Sequence, residues 1–205
     1  KARLVGESTR VEAVAFSPDG KSLAVSGGAP ARFGEIQIWE IATGAQSRSY
    51  KITPDSLFGV SWSPDSARLA FGGTDKSVRV IAAADGKELM KFDNHSDWIS
   101  RTAWLPDGKR LLSGSRDRAM KLINAENGQF IDDINKLLEP LVSMARHPKE
   151  EWAAYGGSEG GVRVYRIQEN QDRTAGNNDV NLVREFELAD VSEHHRGREH
   201  HPRDP

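Results

Sequence analysis

Apolar and polar residues alternate in short runs along this chain, and the runs return at a fixed distance. Val11-Glu12-Ala13-Val14-Ala15-Phe16 and Ile99-Ser100-Arg101-Thr102-Ala103-Trp104 are two of them. Period-two patterning that ends in turn residues predicts a strand. A second set of runs closes at Trp39, Ile81, Ile123 and Tyr165, each 42 residues after the last. A fixed period of this size is the signature of repeat architecture.

Turn markers punctuate the repeat. Ser17-Pro18-Asp19-Gly20, Ser63-Pro64-Asp65-Ser66, Leu105-Pro106-Asp107-Gly108 and a degraded His147-Pro148-Lys149-Glu150 follow the first strand of each unit. Pro presets φ, while Asp and Gly tolerate the tight positions of a turn. The second strand ends in small residues, such as Gly72-Gly73 and Gly156-Gly157. These are expected to let the backbone of a neighbouring sheet approach closely. The third strand ends in Thr43-Gly44, Asp85-Gly86 or Asn127-Gly128, which are hairpin signals. A fourth strand, such as Lys87-Glu88-Leu89-Met90-Lys91-Phe92, completes the unit.

The expected units span about 8–52, 53–94, 95–136 and 137–188. Four extra residues lie in the first, one placed before Ser26 and three in the loop from Ala29 to Phe33. The fourth unit carries a long polar loop, Glu169 to Asp179. Residues 1–191 are assigned to the repeats. The register fails at Leu4 and near Leu188, and residues 192–205, without a large apolar side chain, read as a disordered polar tail.

The third unit carries His95-Ser96-Asp97-Trp98, Leu105-Pro106-Asp107-Gly108, Leu112-Ser113-Gly114-Ser115-Arg116-Asp117 and Met120-Lys121-Leu122-Ile123. In that order and spacing the chain resembles the WD-repeat (Trp-Asp repeat) family, over roughly residues 4 to 187. The resemblance implies an all-β fold: four four-stranded antiparallel blades of a β-propeller. The loose, Trp-poor repeats look like bacterial members. Such propellers usually have more blades, so the expected structure is an incomplete propeller, with a closed four-blade ring or an eight-blade dimer as alternatives. The family's internal hydrogen-bond chain implies structural roles for His95, Ser113 and Asp117, for Asp75 in the second unit and for Trp39 in the first. No unit holds the complete set, since Ile123 stands where the third unit would carry Trp.

Composition narrows the chemistry. The chain has 205 residues, a formal net charge of −2 and no cysteine. Disulfides and thiolate chemistry are therefore excluded, and no global charge draws the chain to nucleic acid or to an anionic membrane. No apolar run reaches the ~18 residues of a membrane span, and the compartment stays open. The paired histidines His194, His195, His200 and His201 could ligate a metal, but a polar tail without ordered-site spacing is the simpler reading, so no metal and no cofactor is expected. Gly156 to Gly161 lacks the Lys-Ser/Thr of a phosphate loop. The turn aspartates read as backbone caps.

In the family, the loops before the first strand and between the second and third share a face that binds partners. Here that rim maps to Arg10, Ser56, Trp98 and Pro140 at equivalent positions, with Lys76, Arg116 and Arg118 from the inter-strand turns. Trp98 beside Arg116 and Arg118 is the leading group, because Trp and Arg are enriched in binding hot spots. The expectation is a non-catalytic scaffold for a protein or peptide partner, with self-association through open blade edges as an option. The alternative is a propeller segment of a larger bacterial enzyme or redox protein.

Overall fold

The computed structural model describes residues 6–137, 139–167 and 181–186, and the regular structure among them is all β-strand. The first sheet holds β1 (Arg10–Phe16), β2 (Ser22–Ala29), β3 (Phe33–Glu40) and β4 (Gln46–Thr53). The second holds β5 (Leu57–Trp62), β6 (Arg68–Gly73), β7 (Val78–Ala82) and β8 (Glu88–Phe92). The third holds β9 (Ile99–Trp104), β10 (Arg110–Ser115), β11 (Ala119–Asn124) and β12 (Phe130–Lys136). The fourth holds β13 (Leu141–Arg146), β14 (Trp152–Gly157), β15 (Val162–Arg166) and β16 (Leu182–Phe186). Within each sheet the strands lie side by side in chain order, every neighbour antiparallel.

The turn markers close by one mechanism. The Asp19 carboxylate accepts the Lys21 amide at 3.0 Å and the Ser17 hydroxyl at 2.5 Å; Asp107 accepts the amides of Lys109 and Arg110. Gly20 and Gly108 take positive φ there, 71° and 64°, and Ser66 is forced to 59° at the same position. A side chain in that region is strained, but the Ser66 hydroxyl accepts the Asp19 amide of the adjacent sheet at 3.2 Å. In the degraded fourth marker His147 stands in for the missing aspartate. Its Nδ1 accepts the amides of Lys149 and Glu150, at 3.3 and 2.8 Å.

The four extra residues of the first sheet are not distributed as the sequence suggested. Ser26 pairs with Ile36 as Gly72 pairs with Val78, so all four fall beyond that pair. The β2–β3 ladder accordingly runs three rungs further than β6–β7, through Gly27 with Glu35, Gly28 with Gly34 and Ala29 with Phe33. The insertion is thus a longer hairpin closed by the Arg32 amide on the Ala29 carbonyl at 3.0 Å, because a ladder satisfies backbone groups that a loop would leave to water.

The sheets stack in chain order, each packing its first two strands on the first strand of the next: β1 and β2 on β5, β5 and β6 on β9, β9 and β10 on β13. Three residues key this stacking. Leu57, Ile99 and Leu141, spaced 42 apart at the start of β5, β9 and β13, are fully buried. Ile99 seats against Gly72, and a Cβ at Gly114 would lie 2.5 Å from Leu141 Cδ1. The small residues thus admit a side chain of the next sheet and, at Gly72, its backbone as well, since a Cβ there would also lie 2.8 Å from the Ile99 carbonyl oxygen. The aromatic at the end of the strand completes the contact. Trp62 Nε1 donates to the Ala15 carbonyl at 3.0 Å, and Trp104 Nε1 to the Ser61 carbonyl at 3.3 Å.

Three apolar clusters fill the three inter-sheet spaces, centred on Ile36, Leu57 and Phe71, on Val80, Ile99 and Leu111, and on Leu122, Leu141 and Tyr155. Among the described residues the first and fourth sheets share no packed interface, and the stack is an open arc. The end of the register at Leu4, the 169–179 loop, the break near Leu188 and the 192–205 tail with its histidines lie outside the described residues.

The core position Leu111 and the exposed Leu89 should separate cleanly on truncation. Leu111→Ala is expected to cost ~2–5 kcal/mol, and Leu89→Ala within about 0.5 kcal/mol. Urea denaturation of the two variants checks this; equal costs would mean that the second-to-third-sheet space is not a packed core.

Candidate functional site

One register of polar residues runs through the third strands. Gln37, Arg79, Lys121 and Arg163 stand 42 apart, each one residue after the first apolar residue of the run. A buried polar head needs a partner, and each blade supplies its own. Gln37 donates to Glu35 at 2.9 Å and accepts from Trp39 Nε1 at 3.0 Å. Arg79 pairs with Asp75 at 2.7 Å and Glu88 at 3.3 Å. Lys121 meets Asp133 at 3.0 Å, and Arg163 pairs with Glu185 and the Tyr155 hydroxyl. The 42-residue spacing of this series is visible in the sequence, but each member sits inside an apolar run and no local motif marks it as polar machinery.

The third blade adds a second polar chain. His95 is buried; its Nδ1 lies 2.8 Å from Asp117 Oδ2 and its Nε2 lies 2.7 Å from Ser113 Oγ. Burial pushes the Asp117 carboxyl up, but the bonds from His95 and the Ser96 amide outweigh it and hold it below the usual carboxylate range. An ionised carboxylate only accepts, so Nδ1 donates to it, and in the neutral ring Nε2 accepts from Ser113. The edge of the ring meets Phe92 at 6.3 Å. The structure therefore brings His95, Ser113 and Asp117 together. Asp75 sits in the corresponding turn of the second blade, accepting the Ser77 amide at 3.2 Å. Trp39 belongs to the Gln37 and Glu35 group of the first. Burial raises the Glu35 carboxyl, but donation from Ser49, Ser8 and Gln37 lowers it further than burial lifts it.

Around the inner edge of the arc the four blades share one cavity of about 500 Å³. Glu12 of the first blade, Phe58 of the second, Trp98, Arg101 and Arg116 of the third and Pro140 and Val142 of the fourth line it. Trp98 is 40 % exposed and stacks on Phe58 with centroids 5.7 Å apart and planes 24° apart. The Arg116 guanidinium lies over the Trp98 ring, 4.8 Å from its centroid. An aromatic pair holds the ring rigid, and the cation above it leaves a charged edge beside an apolar surface.

The rim residues expected from the sequence divide. Trp98, Arg116 and Pro140 converge on the cavity. Arg10 and Arg118 are exposed outside its lining. Lys76 faces a separate hollow of about 370 Å³ beside Asp75, Asp93 and His95. Ser56 is buried. Phe58 and Arg101, unnamed from the sequence, are central to the cavity; no local motif marks them, because their role depends on which strands neighbour each other across blades. Among the described residues no group of His, Asp and Glu could hold a metal ion.

Four-stranded antiparallel sheets stacked by their first strands define a repeat protein of the β-propeller class. The chain matches the WD domain, G-beta repeat family over residues 1–29, 44–81 and 86–124, just over half of its length, and belongs to that family. The second and third matched segments begin at the hairpin before an outermost strand and end on the third strand of the next sheet, so each of these two segments ties two blades. Over 83 residues the chain is 35 % identical to the periodic tryptophan protein 2 homolog of Caenorhabditis elegans; the match covers 36 % of this chain and 9 % of that protein. The chain thus spans a small part of that relative. No helix among the described residues is long and apolar enough to cross a membrane.

Replacing His95 by Ala should leave the buried Ser113 hydroxyl without that partner and remove one donor from the Asp117 carboxylate, at a cost on the order of 2–3 kcal/mol. Thermal unfolding measures it, and an unchanged midpoint would deny the chain any structural weight. Acid should also destabilise the fold. Asp117 and Glu35 are held below their ordinary values of 3.8 and 4.5, so the unfolded chain binds protons first as pH falls. Their stabilisation is present above those values and is lost as pH drops through the lower folded ones. Denaturant titrations from neutral pH to about pH 2 should show this decline, and Glu35→Gln should flatten it.

Proposed function

We propose that this chain is a non-catalytic protein-binding module whose partner seats on the Trp98 cavity. WD repeats generally mediate protein–protein interaction or scaffolding, and the chain's membership of that family makes this the natural class. The observation that carries the site is the convergence of all four blades on one concave surface, with an exposed, stacked Trp98 under the Arg116 guanidinium. A rigid aromatic beside a cation, in a hollow, is the composition of a binding hot spot.

Two arginines, Arg101 and Arg116, and one carboxylate, Glu12, line the cavity. The ligand that fits is an extended protein segment with an apolar anchor for Phe58 and Trp98 and an acidic residue for the arginines. The four blades form an open arc, and the cavity lies along its inner edge.

A display library of short peptides, screened against the chain and counter-screened against Trp98→Ala, tests the assignment. The expected outcome is enrichment of apolar-acidic segments whose affinity falls at least ~10-fold in the variant, a loss of about 1.4 kcal/mol, with an unchanged far-ultraviolet spectrum. Peptides that bind the variant as well as the parent would move the site elsewhere.

A further inference from the structure

The two outer faces of the arc are the two halves of the contact that its interior makes three times. On the leading face of the first blade, Val11, Val14 and Phe16 occupy the register positions of Leu57, Val60 and Trp62, and of Ile99, Thr102 and Trp104. The inner-blade residues are buried, none more than 8 % exposed, whereas Val11, Val14 and Phe16 are 63 %, 59 % and 69 % exposed. The knob that docks every inner blade on its predecessor, and the aromatic that the second and third blades add to it, are thus present on the first blade with nothing to dock on.

The trailing face of the fourth blade is the matching socket. Gly156 stands 42 residues after Gly114, which receives Leu141, and 84 after Gly72, which receives Ile99. A Cβ at Gly156 would meet only Ser143 Cβ, at 3.8 Å. Beside this open notch lies an apolar groove of about 530 Å³, floored by Ala145, Ala154 and Val164. Their counterparts one blade earlier, Ala103, Leu112 and Leu122, are covered by the fourth blade. Val162, the counterpart of the fully buried Met120, is 37 % exposed.

We propose that the trailing face of one chain takes the leading face of a second copy, Val11 entering the Gly156 notch and Phe16 lying across Ala145, Ala154 and Val164. Phe16 lacks the indole N–H that Trp62 and Trp104 give to the preceding blade, so this contact is apolar where the internal ones also carry a hydrogen bond. The occupant is a second copy because one chain carries both complementary surfaces in the correct register. The contact is heterologous, and it closes when each chain uses both of its faces. Two four-blade arcs then form a ring of eight, within the range of about four to eight blades that propellers adopt. Closure removes both exposed apolar faces at once, which a large unpartnered patch favours.

Sedimentation equilibrium of the 205-residue chain over a concentration series tests this. The expected species has twice the chain mass. Phe16→Asp and Gly156→Val alter open positions of the single chain, so both should keep its circular dichroism while raising the apparent dissociation constant at least ~10-fold; Val162→Asp serves as a second substitution on the socket side. Mixing Phe16→Asp with Gly156→Val should restore a two-chain species, since one undamaged pair of faces remains. A chain that stays single at all concentrations overturns the proposal. So does a pair that survives either class of substitution, which would mean like faces meeting, or a mass that grows past two chains, which would mean that the ring does not close.

Discussion

Everything in this structure depends on one repeated insertion: a branched aliphatic side chain at the start of a sheet entering a gap left by a small residue at the end of a strand in the sheet before. Leu57, Ile99 and Leu141 are the inserts, and Gly72 and Gly114 are two of the gaps. The insertion sets the distance between sheets at their inner edge. That distance decides which side chains of β2, β6 and β10 meet the next blade, and where the indoles of Trp62 and Trp104 find a carbonyl. Burying apolar surface drives the stacking, at roughly 25 cal/mol per Å², but burial alone would not choose a register. A knob with one hole does.

The polar third-strand series answers a second requirement. The third strand lies inside its sheet with a strand on either side, and each blade places a long polar side chain there and pairs it within the same blade. The partners differ: an amide and a carboxylate in the first, a doubly paired guanidinium in the second, an ammonium in the third, and a guanidinium with a phenol in the fourth. The position is fixed while its chemistry drifts, which is how a polar site behaves when satisfaction matters and identity does not.

The strands, their antiparallel order and their turns were legible from spacing alone, because period-two patterning and Pro-Asp-Gly turns are local signals. So was the gathering of His95, Ser113 and Asp117, through resemblance. What was not legible depends on contacts between sheets. Trp98 and Arg116 could be named as rim residues, but the partner that orients Trp98 is Phe58, on another blade, and nothing in its neighbourhood announces that. Arg10, Lys76 and Arg118 share the loops of the rim with Trp98 but not its cavity, since sequence position fixes the loop and not the angle around the arc. The Val11 series was hidden for another reason: its members look like ordinary strand residues until they are set beside their buried equivalents on the second and third blades.

The stacking also makes the arc uneven in its resistance to opening. In an array held by nearest-neighbour contacts, stability is a sum of unit and interface contributions. The second and third sheets are covered on both faces, and the first and fourth on one face each. Freeing an end sheet breaks one interface, while freeing an inner sheet breaks two. Amide protons of β6 and β10 should therefore exchange with solvent through rarer openings than those of β2 and β14, and the molecule in its open form would loosen from its ends toward its middle.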